Sequence, residues 1–205
     1  MGKLLVIVAI KFFVSNEVRG TPQTTCKEAV DIDQRINYEY CVSQLLVHHE
    51  STIADTWGLA KITALMGAKN VIHTKAYDDT ILGKPGCKKL YNRTFMSFIV
   101  AHEDLKVRKY SACKHKVAES IKLVHQCDEA FEKAEIESKL TKQNAHSVQV
   151  AIISTGITNL ITLENLVYCT ASRVQLNKVH DSLCNFSDYL HGHIVCGWDE
   201  CVGYF

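Results

Sequence analysis

The chain has 205 residues with 23 Lys and Arg against 22 Asp and Glu, a net charge of +1, which excludes the strongly basic footprint of a nucleic-acid-binding domain. Nine cysteines are many for a cytosolic protein of this size, and disulfides persist in oxidising compartments, so the composition points outside the cytosol. Ten histidines would gain charge in an acidic compartment and make surface charge and partner affinity depend on pH.

The N-terminus fits that address. Lys3 supplies a positive start, and Leu4 to Ile10 form an apolar core of signal-peptide length that is too short to span a bilayer. Lys11 interrupts it before Phe12, Phe13 and Val14. The expectation is a signal peptide over about residues 1–20, cleaved after Ser15 or Gly20; the competing reading is a buried N-terminal strand or helix. No later run is long and apolar enough for a transmembrane helix, so the mature chain is expected to be free of the membrane and to suit one domain.

Two prolines and ten glycines leave few chain breakers, and helical periodicity runs through most of the chain. Residues 21–53 read as an N-terminal extension in which a segment from Cys26 to Ile32 turns through Asp33–Asn37 into Tyr38–Leu46. Such a helical hairpin would bring Cys26 and Cys41 together, and closing a loop of that length stabilises by about 3 kcal/mol. A first long helix is expected from about Ala54 to Leu82, with Leu59, Ile62, Leu65 or Met66, Ile72 and Ala76 inward, stopped by Gly83-Lys84-Pro85-Gly86. A second runs from Cys87 to about Val107 on Leu90, Thr94, Phe98, Ala101 and Leu105, with Arg108 and Lys109 near its negative end. The third covers about Tyr110 to Lys133, and the fourth about Lys142 to Ile161.

Four helices with short connections predict an all-α fold, an up-and-down four-helix bundle over residues 54–163 behind the disulfide-closed hairpin. Cys87 opens the second helix and Cys127 lies near the end of the third, so the two meet when that antiparallel hairpin closes. Residues 164–205 form an atypical tail with Cys169, Cys184, Cys196 and Cys201. Its His191, His193, Cys196 and Cys201 invite a zinc reading, but the spacing matches no standard finger and secreted cysteines tend to oxidise, so no metal and no cofactor are expected. Cys113 reads as a small buried hydrophobe.

Several motifs in order then carry a resemblance. Cys26, Tyr40-Cys41 and Leu45 are followed by Ala54-Asp55 and Gly58-Leu59-Ala60. Next come Cys87-Lys88-Lys89-Leu90-Tyr91, Tyr110, Cys127-Asp128-Glu129-Ala130-Phe131 and Leu140-Thr141-Lys142-Gln143-Asn144. Together, over about residues 24–163, they resemble the plant invertase and pectin methylesterase inhibitor family, most closely its invertase-inhibitor-like proteins that include pollen allergens. Three departures stand out: a shortened loop before Cys87, five cysteines outside the four-cysteine framework, and residues 162–205 without a counterpart.

The resemblance implies an inhibitor and not an enzyme, with no catalytic residues of its own. It would act in the apoplast, the cell wall or the vacuole, docking on the cleft of a secreted carbohydrate-active enzyme, an invertase or a pectin methylesterase. Neither phosphate loop, nucleophile elbow nor zinc-helix motif speaks against it. Some invertase inhibitors of the family carry a Pro-Lys-Phe tripeptide at the start of the third bundle helix. The corresponding stretch is Lys109-Tyr110-Ser111-Ala112, with Tyr110 in place of the proline and no phenylalanine. The candidate partner surface is His102, Glu103, Lys106, Lys109 and Tyr110, weighed against an ordinary solvated helix face. Asn92 and Asn185 head the sequons Asn92-Arg93-Thr94 and Asn185-Phe186-Ser187 and are candidate N-glycosylation sites. The alternative to inhibition is a non-inhibitory, allergen-like binding module on the same scaffold.

Overall fold

A computed structural model describes residues 20–76 and 86–187, with side chains described up to residue 165. The expected signal segment, the Gly83-Lys84-Pro85 stop, His191, His193, Cys196 and Cys201 lie outside the described residues, as do the side chains of Cys169, Cys184 and Asn185. The chain divides into two units, Met1–Ile161 and Thr162–Phe205. Among the described residues all regular structure is helical.

Two short helices, α1 (Pro22–Ile32) and α2 (Tyr38–Leu46), form the hairpin. Each starts on a side-chain cap that satisfies an otherwise orphaned amide: Thr21 Oγ1 accepts from the Thr24 N–H at 3.2 Å, and Asn37 Oδ1 from the Tyr40 N–H at 2.9 Å. Pro22 suits the first position of α1, where no amide is needed. Cys26 and Cys41 are buried and joined by a disulfide. A 3-10 turn, His49–Thr52, leads to the bundle.

The bundle helices are α3 (Thr56–Lys75), α4 (Cys87–Lys106), α5 (Tyr110–Lys133) and α6 (Thr141–Ser187). Asp55 caps α3 through the Gly58 N–H at 2.7 Å. The buried side of α3 is Thr56, Leu59, Ala60, Thr63, Gly67 and Val71, mostly small residues that let α4 approach closely. Phe98 of α4 fills the space left by Gly67, where a Cβ would clash with the ring. Of the pair Leu65 or Met66, Met66 turns inward and Leu65 is exposed; Ile72, expected inward, is also exposed, because the buried stripe passes through Val71 and Ala68 instead. α3 also closes at Lys75 with Ala76 as its cap, short of the expected Leu82. The last helix, expected to stop near Ile161, continues to Ser187; no proline or glycine follows Gly156 within it to end it.

The bundle core is Leu59, Tyr91, Phe98, Leu105, Val117, Phe131, Ile153 and Ile157 with their neighbours. A buried hydrogen-bonded chain ties three helices: Tyr91 of α4 donates its hydroxyl to Asn144 Oδ1 of α6, and Asn144 donates its amide to Asp128 of α5. Asn70 of α3 adds a bond to Ser147 Oγ at 2.9 Å. Cys87 and Cys127 form the second disulfide between α4 and α5. The hairpin packs on α6, where Ile36 lies against Gly156 and Tyr40 meets His146 edge to face at 5.4 Å. No described helix is long and apolar enough to cross a membrane.

Candidate functional site

The feature that sets one end of the bundle apart is the corner between α4 and α5. The last turn of α4 closes in a Schellman arrangement: the Lys109 N–H donates to the Asp104 carbonyl at 2.8 Å and the Arg108 N–H to the Leu105 carbonyl at 3.1 Å. That arrangement needs a left-handed residue, and Arg108 supplies it at φ 58°. Glycine adopts this conformation without penalty, whereas an L side chain raises the energy by about 1–2 kcal/mol. The same device ends α5, where Glu135 sits at φ 53°.

The Arg108 guanidinium lies 5.0 Å from the centre of the Trp57 ring. Lys61, one turn after Trp57 on α3, places its Nζ 3.4 Å from the same ring. The indole N–H donates to the Leu105 carbonyl at 2.8 Å, which fixes the ring in the cleft between α3 and α4. A half-buried tryptophan therefore carries two cations on an exposed corner, each a cation–π contact of about 0.5–1 kcal/mol at such a site. His102 adds an Nδ1 contact to the Lys61 carbonyl at 3.3 Å.

The five residues singled out from the sequence fall around this corner but not on one footing. Glu103 and Lys106 pair locally at 2.9 Å on the exposed side of α4. That hydrogen-bonded ammonium holds the Glu103 carboxyl below its ordinary value. Lys109 is exposed. His102 is half-buried and turned toward α3. Tyr110 does not belong to the surface: it is only 8% exposed, in the core at the first turn of α5, and its hydroxyl oxygen accepts from Arg108 Nη1 at 3.4 Å. An aromatic ring at a helix start that faces the core is drawn in by the apolar area it buries. Trp57, Lys61 and Arg108 were not singled out as a group. The i, i+4 spacing of Trp57 and Lys61 was a readable signal, while their meeting with Arg108 depends on the helix packing.

Away from the corner, Asn92 is exposed on α4, beside a shallow groove between α4 and α5. Cys113 is a buried free thiol, 4.0 Å from Thr158 Oγ1, and burial pushes it up to about 11.

This is a disulfide-braced helical bundle with its distinctive chemistry on the surface. No family model matches the chain. Curated relatives do. It is 41% identical over 160 residues to pectinesterase inhibitor 8 of Oryza sativa subsp. japonica, covering 72% of this chain and 87% of that one. Pectinesterase inhibitor 12 of the same rice is 32% identical over 177 residues, 79% of this chain and 86% of the other. A Platanus orientalis protein named "Putative invertase inhibitor" is 29% identical over 170 residues, 78% of this chain and 98% of its own. The chain belongs to the plant pectinesterase and invertase inhibitor family.

Proposed function

We propose that the protein is a secreted inhibitor of a plant pectinesterase, not itself an enzyme, and that it docks on the enzyme's cleft through the α4–α5 corner. The observation that carries the docking surface is the Trp57 ring in contact with both Lys61 and a strained Arg108. Backbone strain in a packed fold tends to gather where function needs it, and tryptophan and arginine are the residues most enriched at energetic centres of interfaces. The indole bond to the Leu105 carbonyl and the Schellman turn hold this corner in place, so little ordering entropy is lost on binding.

Pectinesterase is preferred over invertase on two grounds. The relatives named for pectinesterase are the more similar of those compared. At the place of the family's invertase tripeptide stands Tyr110, whose ring is taken up by the core. Glu103, Lys106 and Lys109 would form the polar rim of the same face.

The test is binding of the oxidised protein to a purified pectinesterase, with Lys61→Glu and Arg108→Glu as variants. Each reversal at an interface centre is expected to weaken binding by about 2 kcal/mol or more, roughly 30-fold. Full affinity in both variants would remove the corner from the interface. Binding to invertase alone would reverse the target, and binding to neither would leave the non-inhibitory module.

A further inference from the structure

We propose that Asn92 is an N-glycosylation site and that the core of its glycan lies in the groove between α4 and α5. The inference goes beyond inhibition and rests only on the secretory address within that reading.

Asn92, Met96 and Val100 are each four residues apart, so they form one row along α4. Met96 is 54% exposed, and Val100 also faces solvent. Lys116 and Glu119 of α5 form the opposite wall of a groove of about 310 Å³, which Lys89, Arg93 and Ser97 complete. Arg93 and Lys116 both reach Glu119, at 3.4 and 3.1 Å. The groove thus has an apolar strip and a charged rim. A sugar ring has the matching chemistry: C–H faces for Met96 and Val100, hydroxyls for the Arg93, Lys116 and Glu119 side chains. The attachment atom is already at its edge, since Asn92 heads a sequon and lines the groove.

Thr94 tells when the transfer must occur. The residue is 1% exposed, and its hydroxyl, which the sequon requires, donates to the Leu90 carbonyl at 3.0 Å. In the folded bundle no transferase can read it. During entry into the secretory pathway, however, α4 cannot pack on α5, nor Cys87 pair with Cys127, until the chain beyond Asn92 has followed. The sequon is therefore extended and open when the donor, a lipid-diphosphate-linked oligosaccharide, is at hand. The Asn92 amide nitrogen forms a bond to the anomeric carbon. The bond from that carbon to the phosphate oxygen breaks, and the lipid diphosphate leaves with the electron pair. The amide gives up one proton to a base of the transferase. Afterwards α4 folds with the glycan on its outer row.

The glycan would not cover the corner. Asn92 and Arg108 are separated by most of α4, about 24 Å at the helical rise per residue.

The experiment is expression of the full chain in a plant secretory host, followed by enzymatic deglycosylation in heavy-oxygen water and peptide mapping, which labels position 92 only if it carried a glycan. The expected result is label at position 92, a mobility shift from this site lost in Asn92→Gln, and both retained in Thr94→Ser. A secreted protein with Asn92 bare overturns the proposal, as does a chain retained unglycosylated in the cytosol. The second outcome would also remove the secretory address, whereas the first would leave inhibition untouched. For the groove, Met96 should be oxidised more slowly by peroxide in the glycoprotein than in Asn92→Gln. Equal rates would overturn the placement of the glycan.

Discussion

Replacing Tyr91 by phenylalanine removes one oxygen atom from the centre of the fold and leaves the ring in place. Tyr91 is 1% exposed and Asn144 2%, so neither can turn to bulk water. With the hydroxyl gone, Asn144 Oδ1 loses the donor that Tyr91 supplied, while its amide still donates to Asp128. The penalty is then the desolvation of a buried carbonyl, about 1–3 kcal/mol, rather than the smaller net value of an ordinary hydrogen bond. For a protein of this size that lowers the melting temperature by roughly 2–12 °C. The assay is urea and thermal unfolding of the oxidised protein. A double variant, Tyr91→Phe with Asn144→Leu, removes both partners and should cost less than the sum of the two single changes. A Tyr91→Phe loss below about 0.5 kcal/mol, the size of an ordinary surface change, would refute the reasoning, as would additive singles.

The disulfides should differ in weight. By loop-closure entropy, the Cys87–Cys127 bridge contributes about 4 kcal/mol and the shorter Cys26–Cys41 loop about 3 kcal/mol. Paired Cys→Ala replacements read by urea unfolding should keep that order. Cys113 should resist alkylation at pH 8 until the protein is unfolded. Its raised value of about 11 lies above the ordinary 9.0. The unfolded thiol therefore ionises first as pH rises between those values, stability falls across that window, and Cys113→Ala should flatten the fall. His48 should titrate below its ordinary value in an NMR pH series, because burial and then the Lys69 charge disfavour its proton. Lys69→Gln should move it upward. Since the folded value is the lower one, its stability contribution is lost as pH falls through it.

Helix placement was legible wherever one side is apolar at three- and four-residue steps, as in α4 with Phe98, Ala101 and Leu105. It was least legible in α3, whose buried side is largely alanine, glycine and threonine, so the larger Ile72 misled and the choice between Leu65 and Met66 was settled only by the packing. The length of α6 was hidden for the opposite reason: nothing in its sequence marks a stop, and the expected end near Ile161 had no local signal. The corner was only half readable. Arg108 and Lys109 announced a basic helix end, but a Schellman turn is normally announced by glycine or asparagine, and Val107-Arg108-Lys109 contains neither. Tyr91 and Asn144 were both in recognisable motifs. Their meeting is a tertiary fact, joined across 53 residues that a single sequence does not connect.

The docking role of the corner is tested most directly by Arg108→Gly in a pectinesterase inhibition titration. Glycine keeps the left-handed turn at φ 58° and deletes one of the two cations against Trp57. The account predicts saturable inhibition by the parent protein, markedly weaker inhibition by the variant, and a melting temperature unchanged or raised as the strain is relieved. Full inhibition by Arg108→Gly, or no inhibition by correctly disulfide-bonded parent protein, would contradict it.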